Sequence, residues 1–403
     1  MPIAKGVAKQ LRYKVESTFG TAPGAAGAQL LRRVSSNLSM KKERYQSGEI
    51  ISTQQIVDSR HGMRRVDGAI GGEISAGTYE DFFAAVLRRD FTAVTAISSL
   101  SITVAGSGPT FTATRAAGSW LTDGIKIGMV VRFTAGSLNA ANLNKNLFVL
   151  GVTATVLTVR PLNDVAMVAE GPIASCTLTI PGKVSYVPNS GFTDKSFSIE
   201  HWHSDISRSH LFRGCKVNDA SFQYRPGQMA SVNFGILGQD VTRASSAYYT
   251  SPAAETAFGV MSPVNGLIYI NGAAVTLISS LDFSLKGDME PLPVIGANIS
   301  PDIVPGRVMV DGQFTAHFDS ATFTDLFDNE SEVSLLYVLA SGTAANADFM
   351  TYVMPRIKVF GADDADNEKA LPITVPFQAF YNSAGGAGIA TEQTTFFMQD
   401  SQA

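Results

Sequence analysis

The chain has 403 residues, of which 45% are hydrophobic and only 16% are charged, and its 31 basic and 35 acidic side chains give a net charge of −4. This apolar content argues against a disordered chain, and the lack of a basic surplus argues against a nucleic-acid-binding protein. A charged fraction below the roughly 25% of an average soluble domain indicates that much of the surface is covered, most simply by further copies of the chain.

Residues 1–20 lack the apolar segment of a secretory signal, and the most apolar stretch, residues 147–159, is too short to span a bilayer. We therefore expect no insertion into a membrane. Cys176 and Cys215 are too few for a disulfide framework, and a single bridge between them stays an open alternative. The better prediction is two reduced, buried thiols in a protein made in a reducing cytoplasm.

Alternation of apolar and polar residues is the main pattern along the chain, and it is typical of strands with one buried face. It runs through residues 66–74, 232–236, 307–319 and 373–377. In residues 307–319 the even positions are apolar or small. Helical signals are few and begin at Thr78 and Thr322, each a plausible N-cap with acids in the first turn. These patterns predict a mainly β protein with two short helices.

The chain resembles itself at an offset of 244 residues. Residues 58–83 and 302–327 share 8 identities in 26 ungapped positions, including Asp58 with Asp302 and Gly62 with Gly306. Weaker matches follow the same order in both halves: 37–41 with 282–286, 197–199 with 333–335, 215–217 with 357–359 and 231–234 with 374–377. The order favours an internal duplication over two unrelated strand–turn–helix units.

The spacing of the repeat exposes an insertion in the first half. Between the first helix and its next strand, 107 residues separate Arg89 from Phe197, whereas five separate Phe327 from Val333. The extra residues have their own strand patterns at 101–104, 111–114, 129–133, 147–159 and 176–180. We predict a first domain of residues 1–92 and 190–250, an inserted β module of residues 93–189, and a second domain of residues 251–403. An exposed loop tolerates such an insertion.

Residues that could carry chemistry are sparse. His201 and His203 share one strand face with His210 nearby, but a metal site needs a third and usually a fourth ligand, so a polar strand face is the better interpretation. Residues 363–368 are acidic but lack the spacing of a calcium-binding EF-hand, which favours an acidic turn. No nucleophile elbow or metalloprotease motif occurs. We expect neither an enzyme nor a bound cofactor.

Three segments resemble one family. Residues 16–23, Glu-Ser-Thr-Phe-Gly-Thr-Ala-Pro, resemble the E-x-x-[FY]-G-T-x-P opening of major tail tube proteins from long-tailed, siphovirus-like bacteriophages. Residues 60–88 are similar to the family's Gly-bearing strand followed by Gly-Thr-Tyr-Glu-Asp-Phe-Phe and a helix. Residues 120–160, with Gly-Ile-Lys-Ile-Gly-Met-Val-Val-Arg-Phe at 124–133, resemble an accessory β module found in such proteins.

The resemblance implies a fold and an assembly. It implies tube domains made of two packed sheets and a flanking helix, so this chain would carry two tandem β-sandwich domains of that type plus the inserted module. In the family, sheets join edge to edge around a ring, which removes exposed edges, and rings stack into a tube. The lumen conducts DNA, and the partners are tape-measure and tail-end proteins. The location would be the virion tail, after assembly in the bacterial cytoplasm.

The duplication sharpens the stoichiometry. Family members with one tube domain form hexameric rings, so two domains per chain predict a trimeric ring with pseudo-sixfold symmetry. A hexamer of whole chains is the alternative. A different structural role, as a baseplate component or a receptor-binding adhesin acting through the inserted module, also fits a β-rich chain.

Two sets of residues are assigned to this assembly. The polar positions of the repeated strands are expected to line the lumen, where a wall without basic surplus would let DNA slide, although a strand face outside the tube is equally open. The two long loops before these strands are expected to contact the next ring. The lumen set is Asp67, Glu73, Asp311, Gln313 and His317, and the loop set is Lys41, Lys42, Arg44, Glu49, Pro291, Pro293 and Pro301.

Overall fold

The computed structural model describes residues 3–317, 321–364 and 370–403. Within them the fold is mainly β with two α-helices, which confirms the predicted fold class. The helices are α1 (Glu80–Leu87) and α2 (Thr322–Asp328). Three single-turn 3₁₀ helices lie at Gly6–Ala8, Leu162–Asp164 and Pro263–Asn265.

The strands fall into four groups along the chain. Those before α1 are β1 (Lys9–Val15), β2 (Gln29–Leu30), β3 (Ser35–Ser36), β4 (Ser39–Gln46) and β5 (Ser59–Glu73). The next six are β6 (Ile97–Ala105), β7 (Phe111–Arg115), β8 (Val130–Ala135), β9 (Leu147–Val152), β10 (Val156–Pro161) and β11 (Glu170–Thr179). The third group is β12 (Lys183–Tyr186), β13 (Phe197–His203), β14 (Arg208–Tyr224), β15 (Ser231–Gly238) and β16 (Asp240–Ala244). The last group is β17 (Gly266–Ile270), β18 (Ala273–Ala274), β19 (Ile278–Lys286), β20 (Glu290–Pro291), β21 (Ile303–Val304), β22 (Met309–His317), β23 (Val333–Ala340), β24 (Phe349–Val359), β25 (Asp363–Asp364), β26 (Pro372–Ala379) and β27 (Phe397–Asp400).

Two series of strands pair in the same order. In the first series β1 pairs with β13, β13 with β14, β14 with β15, β15 with β5, and β5 with β4. In the second series the same chain of antiparallel pairings runs β17, β23, β24, β26, β22 and β19. The helix follows β5 in one series and β22 in the other, so each helix has the same place in its series.

The registers of the two series also agree. Phe197 pairs with Cys215 in the first series, and Val333 pairs with Ile357 in the second, each just before a register shift. These are the residues that the sequence comparison matched. One match was two residues out, because Ile70 pairs with Phe234 while its counterpart Phe314 pairs with Val375. The equivalent of residues 231–234 is therefore 372–375 and not 374–377.

The two series are joined edge to edge. The second half of β14 pairs with β15 on one side and with β19 on the other, so that Ala220 lies opposite Leu285. The strands β4, β5, β15, β14, β19, β22, β26 and β24 thus form one continuous run of eight. Buried side chains from both series form a single hydrophobic core beneath this run.

Burial of α1 and α2 differs. Six consecutive residues of α1, from Phe82 to Leu87, are buried, whereas the buried residue of α2 is Phe323. The predicted N-cap is wrong for α1, because the helix begins at Glu80 and the Thr78 hydroxyl bonds to Ser75 and Thr256 instead. For α2 the predicted N-cap is one residue out, because the helix begins at Thr322 itself and its N-cap is Ala321.

The six strands β6 to β11 close into a small barrel with its own core. The apolar stretch of residues 147–159 is a hairpin and not one strand, since the Thr153 N–H donates to the Val156 carbonyl at 2.9 Å and turns the chain between β9 and β10. Although the barrel interrupts the first series, it packs on the second. Phe148 of the barrel lies in one buried cluster with Val338 and Val353 of β23 and β24.

Other expectations concern single residues. Val310, Phe314 and Ala316 are buried at even positions of β22, as the alternation predicts, and Phe318 lies outside the described residues. Cys176 and Cys215 are free and buried, which confirms the prediction of reduced thiols. In the described ranges, no helix combines the length and the apolar character that a membrane span needs.

Candidate assembly surfaces

β4 forms one open edge of the eight-strand run. Among the described strands it pairs with β5 alone, and from Lys41 onward its side chains are exposed. The other end of the run is β24 with β25. Lys358 and Val359 pair with β26, and so do Asp363 and Asp364. The opposite edge of β24 and β25 is therefore the counterpart of the edge of β14 that pairs with β19. An unpaired strand edge presents free N–H and C=O groups that another chain can bind.

The lumen set lies on the face of this run that points away from the core. Glu73, Gln313 and His317 are exposed, and Asp67 and Asp311 are half-buried. They occupy the odd positions between buried residues of β5 and β22, so one face holds all five.

Two acidic side chains on this polar face are paired with basic ones. The Asp311 carboxylate accepts hydrogen bonds from the Lys286 ammonium at 3.2 Å and from the Gln378 side-chain amide at 2.9 Å. Asp282 of β19 forms an ion pair with Arg225, also at 3.2 Å. The structure thus brings Asp311 into a cross-strand network with residues that the sequence did not single out, and the face carries both signs of charge.

The loop between β4 and β5 is the tip of a long hairpin, which we call the first hairpin (residues 39–66). Lys41, Lys42, Arg44 and Glu49 are all exposed on it. The tip also exposes apolar side chains, and Ile50 is 99% exposed. Apolar residues at an exposed tip are typical of a contact site.

The second hairpin (residues 284–310) connects β19 to β22. Pro293 and Pro301 are exposed and Pro291 is half-buried. The base of this hairpin lies against the first strand series of its own chain, where the Arg88 guanidinium donates to the carbonyls of Gly287 and Gly306 at 2.8 and 2.7 Å. Part of this loop is therefore already used inside the chain.

Lys216 in β14 holds the second hairpin in place. Its ammonium lies 2.6 Å from Asp194 and 3.0 Å from Asp302, and donates to the Ile303 carbonyl at 2.9 Å. Its side chain is 2% exposed. Sequence reasoning missed this site, although two of its members, Lys216 and Asp302, stand at repeated positions.

The histidines do not form a metal centre. His201 is buried and its Nε2 lies 2.8 Å from the Ser36 hydroxyl, while the His203 and His210 rings are 5.8 Å apart. Burial, with help from the charges of Lys9 and Arg33, lowers the pKa of His201 to about 2. In the described ranges no three His, Cys, Asp or Glu side chains come together as metal ligands. The acidic segment 363–368 lies mostly outside the described residues.

Open strand edges, a polar sheet face and exposed hairpin tips are features of a β-rich building block. The model of the phage tail tube protein family matches residues 6–379, and the chain belongs to this family. A search of curated proteins found no significant match. The family assignment confirms the resemblance and implies a structural, non-enzymatic role in the virion tail, with self-assembly into a tube.

Proposed function

We propose that three chains close a ring of the tail tube and that stacked rings enclose a lumen through which DNA passes into the host. The observation that carries this proposal is the joint between β14 and β19, where the two strand series of one chain already associate edge to edge. Repeating that joint between chains would use both open edges. A closed ring leaves no free edge.

The proposed domains follow the two strand series. The first comprises residues 1–92 and 190–250 and the second residues 251–403, with residues 93–189 inserted. Their support is the shared pairing order and register, and the separate core of the barrel. Because the barrel packs on the sheet formed by β17, β23 and β24, away from the polar face, we infer that it decorates the tube exterior.

The ring contact can be specified by residue. The strand pairings equate β19 with β4, and β14 with β24 and β25 together. One register shift lies within β14, and its counterpart lies between β24 and β25. The pair Ala220 and Leu285 then corresponds to Ala362 of one chain and Met40 of the next. The proposed ring is thus an inner barrel to which each chain contributes eight strands.

The barrel size distinguishes three chains from six. Three chains supply three times eight, or 24, strands, which at about 4.8 Å spacing and roughly 40° tilt give a backbone diameter of about 48 Å. Six whole chains would double the strand number and give about 96 Å by the same geometry.

In this ring the polar face lines the lumen. The core lies under the other face, so Asp67, Glu73, Asp311, Gln313 and His317 would face the DNA. A wall without a basic surplus gains little from counterion release and would not hold the phosphate backbone. The same wall would contact the tape-measure protein during assembly, and the ring faces would meet the tail-end proteins.

Stacking is assigned to the tips of the two hairpins. Ile50 on the first and Ile295 on the second are fully exposed, and burying them against the next ring would be favourable. The loop set of Lys41, Lys42, Arg44, Glu49, Pro291, Pro293 and Pro301 surrounds these tips or leads to them.

Negative-stain imaging of the purified chain, followed by classification of end-on views, tests the proposal. We expect hollow tubes of uniform width with three protruding modules per ring. Six modules per ring would refute the trimer. Single particles without tubes, together with binding to host cells through the barrel, would favour the baseplate or adhesin role instead.

A further inference from the structure

The site around Lys216 has a second, incomplete counterpart in the same chain. In the first site the ammonium of Lys216 is enclosed by Asp194, Asp302 and the Ile303 carbonyl. Asp302 belongs to the second hairpin, so this ion pair fastens that hairpin to the strand series beside it. A buried ammonium is stable only when it is paired in this way.

The two hairpins match in the register of their paired strands and in the hydrogen bond that ends each ladder. In the second hairpin Glu290 pairs with Val304, and in the first Tyr45 pairs with Arg60, as the offset of the two series requires. The last ladder bond is also repeated. The Leu292 N–H donates to the Asp302 carbonyl at 3.1 Å, and the Ser47 N–H donates to the Asp58 carbonyl at 2.9 Å. Asp58 is therefore the counterpart of Asp302.

Lys358 is the counterpart of Lys216. Lys216 follows Cys215, which pairs with Phe197, and Lys358 follows Ile357, which pairs with Val333. The side chain of Lys358 is 32% exposed, and its nearest described carboxylate is Glu332 at 3.6 Å. The hairpin that should cover it would have to come from the next domain around the ring, which is supplied by another chain.

We propose that Asp58 of one chain forms an ion pair with Lys358 of the neighbouring chain in the same ring, so that the first hairpin lies across the end of the neighbour's second domain. This inference rests on the proposed ring. It assigns the base of the hairpin to a lateral contact and leaves its tip for the ring above or below.

Charge complementarity supports a second copy of this chain as the partner of the first hairpin. Residues 41–65 carry six basic and three acidic side chains. The exposed stretch from α2 to the start of β23, residues 325–332, carries four acidic side chains and no basic one. A basic hairpin would therefore meet an acidic surface, which favours this partner and fixes its register.

Apolar surface supports the same contact. Phe360 is 55% exposed directly after β24, and Tyr381 is exposed after β26. Phe360 stands two residues after Lys358, as Asn218 stands two residues after Lys216, and Asn218 is covered by the second hairpin through bonds to Gly287 and Met289. The first hairpin of a neighbour would cover Phe360 in the same manner.

Zero-length carbodiimide cross-linking of assembled tubes tests the pair directly. Tubes are grown from a mixture of ¹⁴N- and ¹⁵N-labelled chains, and cross-linked peptides are identified by mass spectrometry. We expect an amide between Lys358 and Asp58 in mixed-isotope pairs, absent from unassembled chains. The Lys183–Glu80 pair, 3.0 Å apart and similarly exposed, is the positive control within one chain.

Two outcomes separate the inference from the proposed function. If trimeric rings form and the control pair is linked but Lys358 and Asp58 are not, the inference is wrong while the ring stands. If no tubes form at all, the ring and the inference fail together.

Substitutions provide a second readout. Asp58→Asn and Lys358→Met should each raise the critical concentration for assembly about tenfold or more, and the double variant should be no worse than either single one. Glu43→Gln is the matched control, because Glu43 and Asp58 each pair with an exposed arginine of the same hairpin. It should change the critical concentration less than about twofold. Equal effects of Glu43→Gln and Asp58→Asn would overturn the pair.

Discussion

Phe222 and Phe283 lie opposite each other in β14 and β19, with their ring centroids 4.6 Å apart, so one stacked contact joins the two strand series. Both rings are buried. Phe283→Ala should lower the free energy of unfolding by about 3–5 kcal/mol, because it removes a large buried side chain and leaves a cavity. Denaturant unfolding of the unassembled chain measures the loss. Phe192→Ala, at an exposed position, should stay within about 0.5 kcal/mol.

Met40 offers a way to block ring closure without unfolding the chain. The Asn37 N–H donates to the Ala69 carbonyl of β5, so in the alternating ladder the Met40 N–H points away from β5, toward the open edge. Met40→Pro should leave the melting temperature of the unassembled chain almost unchanged, since proline is tolerated where an edge N–H faces solvent. Tubes should be absent in electron micrographs, whereas Met40→Ala, which keeps the N–H, should still assemble. Normal tubes from Met40→Pro would contradict the proposed edge pairing.

Gln313 tests which face lines the lumen. Both native cysteines are buried, so a single Gln313→Cys thiol can be labelled against a low background. In intact tubes we expect reaction with a small maleimide but not with a maleimide attached to a large polymer. Ser107→Cys, on an exposed turn of the barrel, should react with both reagents. Equal labelling of Gln313→Cys by both reagents would place the polar face outside.

The tip of the first hairpin should be needed for stacking and not for ring closure. Replacing residues 48–55 with a short Gly-Ser turn removes Ile50 and its exposed apolar neighbour Ile51 but keeps Asp58. We expect isolated rings by sedimentation and electron microscopy in place of long tubes. Tubes of normal length would show that the tip does not hold rings together.

Protonation of His201 in the unfolded chain should lower the free energy of unfolding in mild acid. Its folded-state pKa is lowered to about 2 by burial, whereas an unfolded histidine titrates near pH 6.5. The unfolded chain therefore binds a proton first as the pH drops, and stability is lost below about pH 6.5. Between pH 7 and pH 5 this amounts to about 2 kcal/mol. His201→Gln should show a shallower pH dependence of unfolding over that range, and an unchanged slope would assign the effect to other groups.

Much of the fold follows from sequence patterns that are local. The alternation in β22 and the match of residues 197–199 with 333–335 identified strand faces and registers, because one buried face fixes the phase of a strand. The hairpin formed by residues 147–159 does not follow from its local sequence pattern. The glycine of this apolar run, Gly151, lies within β9, and the bend at Thr153 depends on hydrogen bonds within the hairpin.

Contacts between distant segments could not be predicted in this way. Lys216 and Asp302 are 86 residues apart, and no pattern in either segment links one to the other. The match of β15 with β26 was placed two residues out because Phe234 and Phe377 look alike, whereas the strand partners equate Phe234 with Val375. The pairing between strands, and not sequence similarity, determines which residues of β15 and β26 are equivalent.

The barrel interrupts one strand series and packs on the other, so the two strand series of a chain share a single module. In a ring of three chains the inner wall would repeat six times around the axis, while the outside would repeat only three times. A terminator or tape-measure protein that contacts the wall would meet six near-equivalent sites with two alternating sets of side chains. A partner that grips the outside would meet three. A chain with two matching strand series would thus let one tube accept threefold and sixfold partners at the same level.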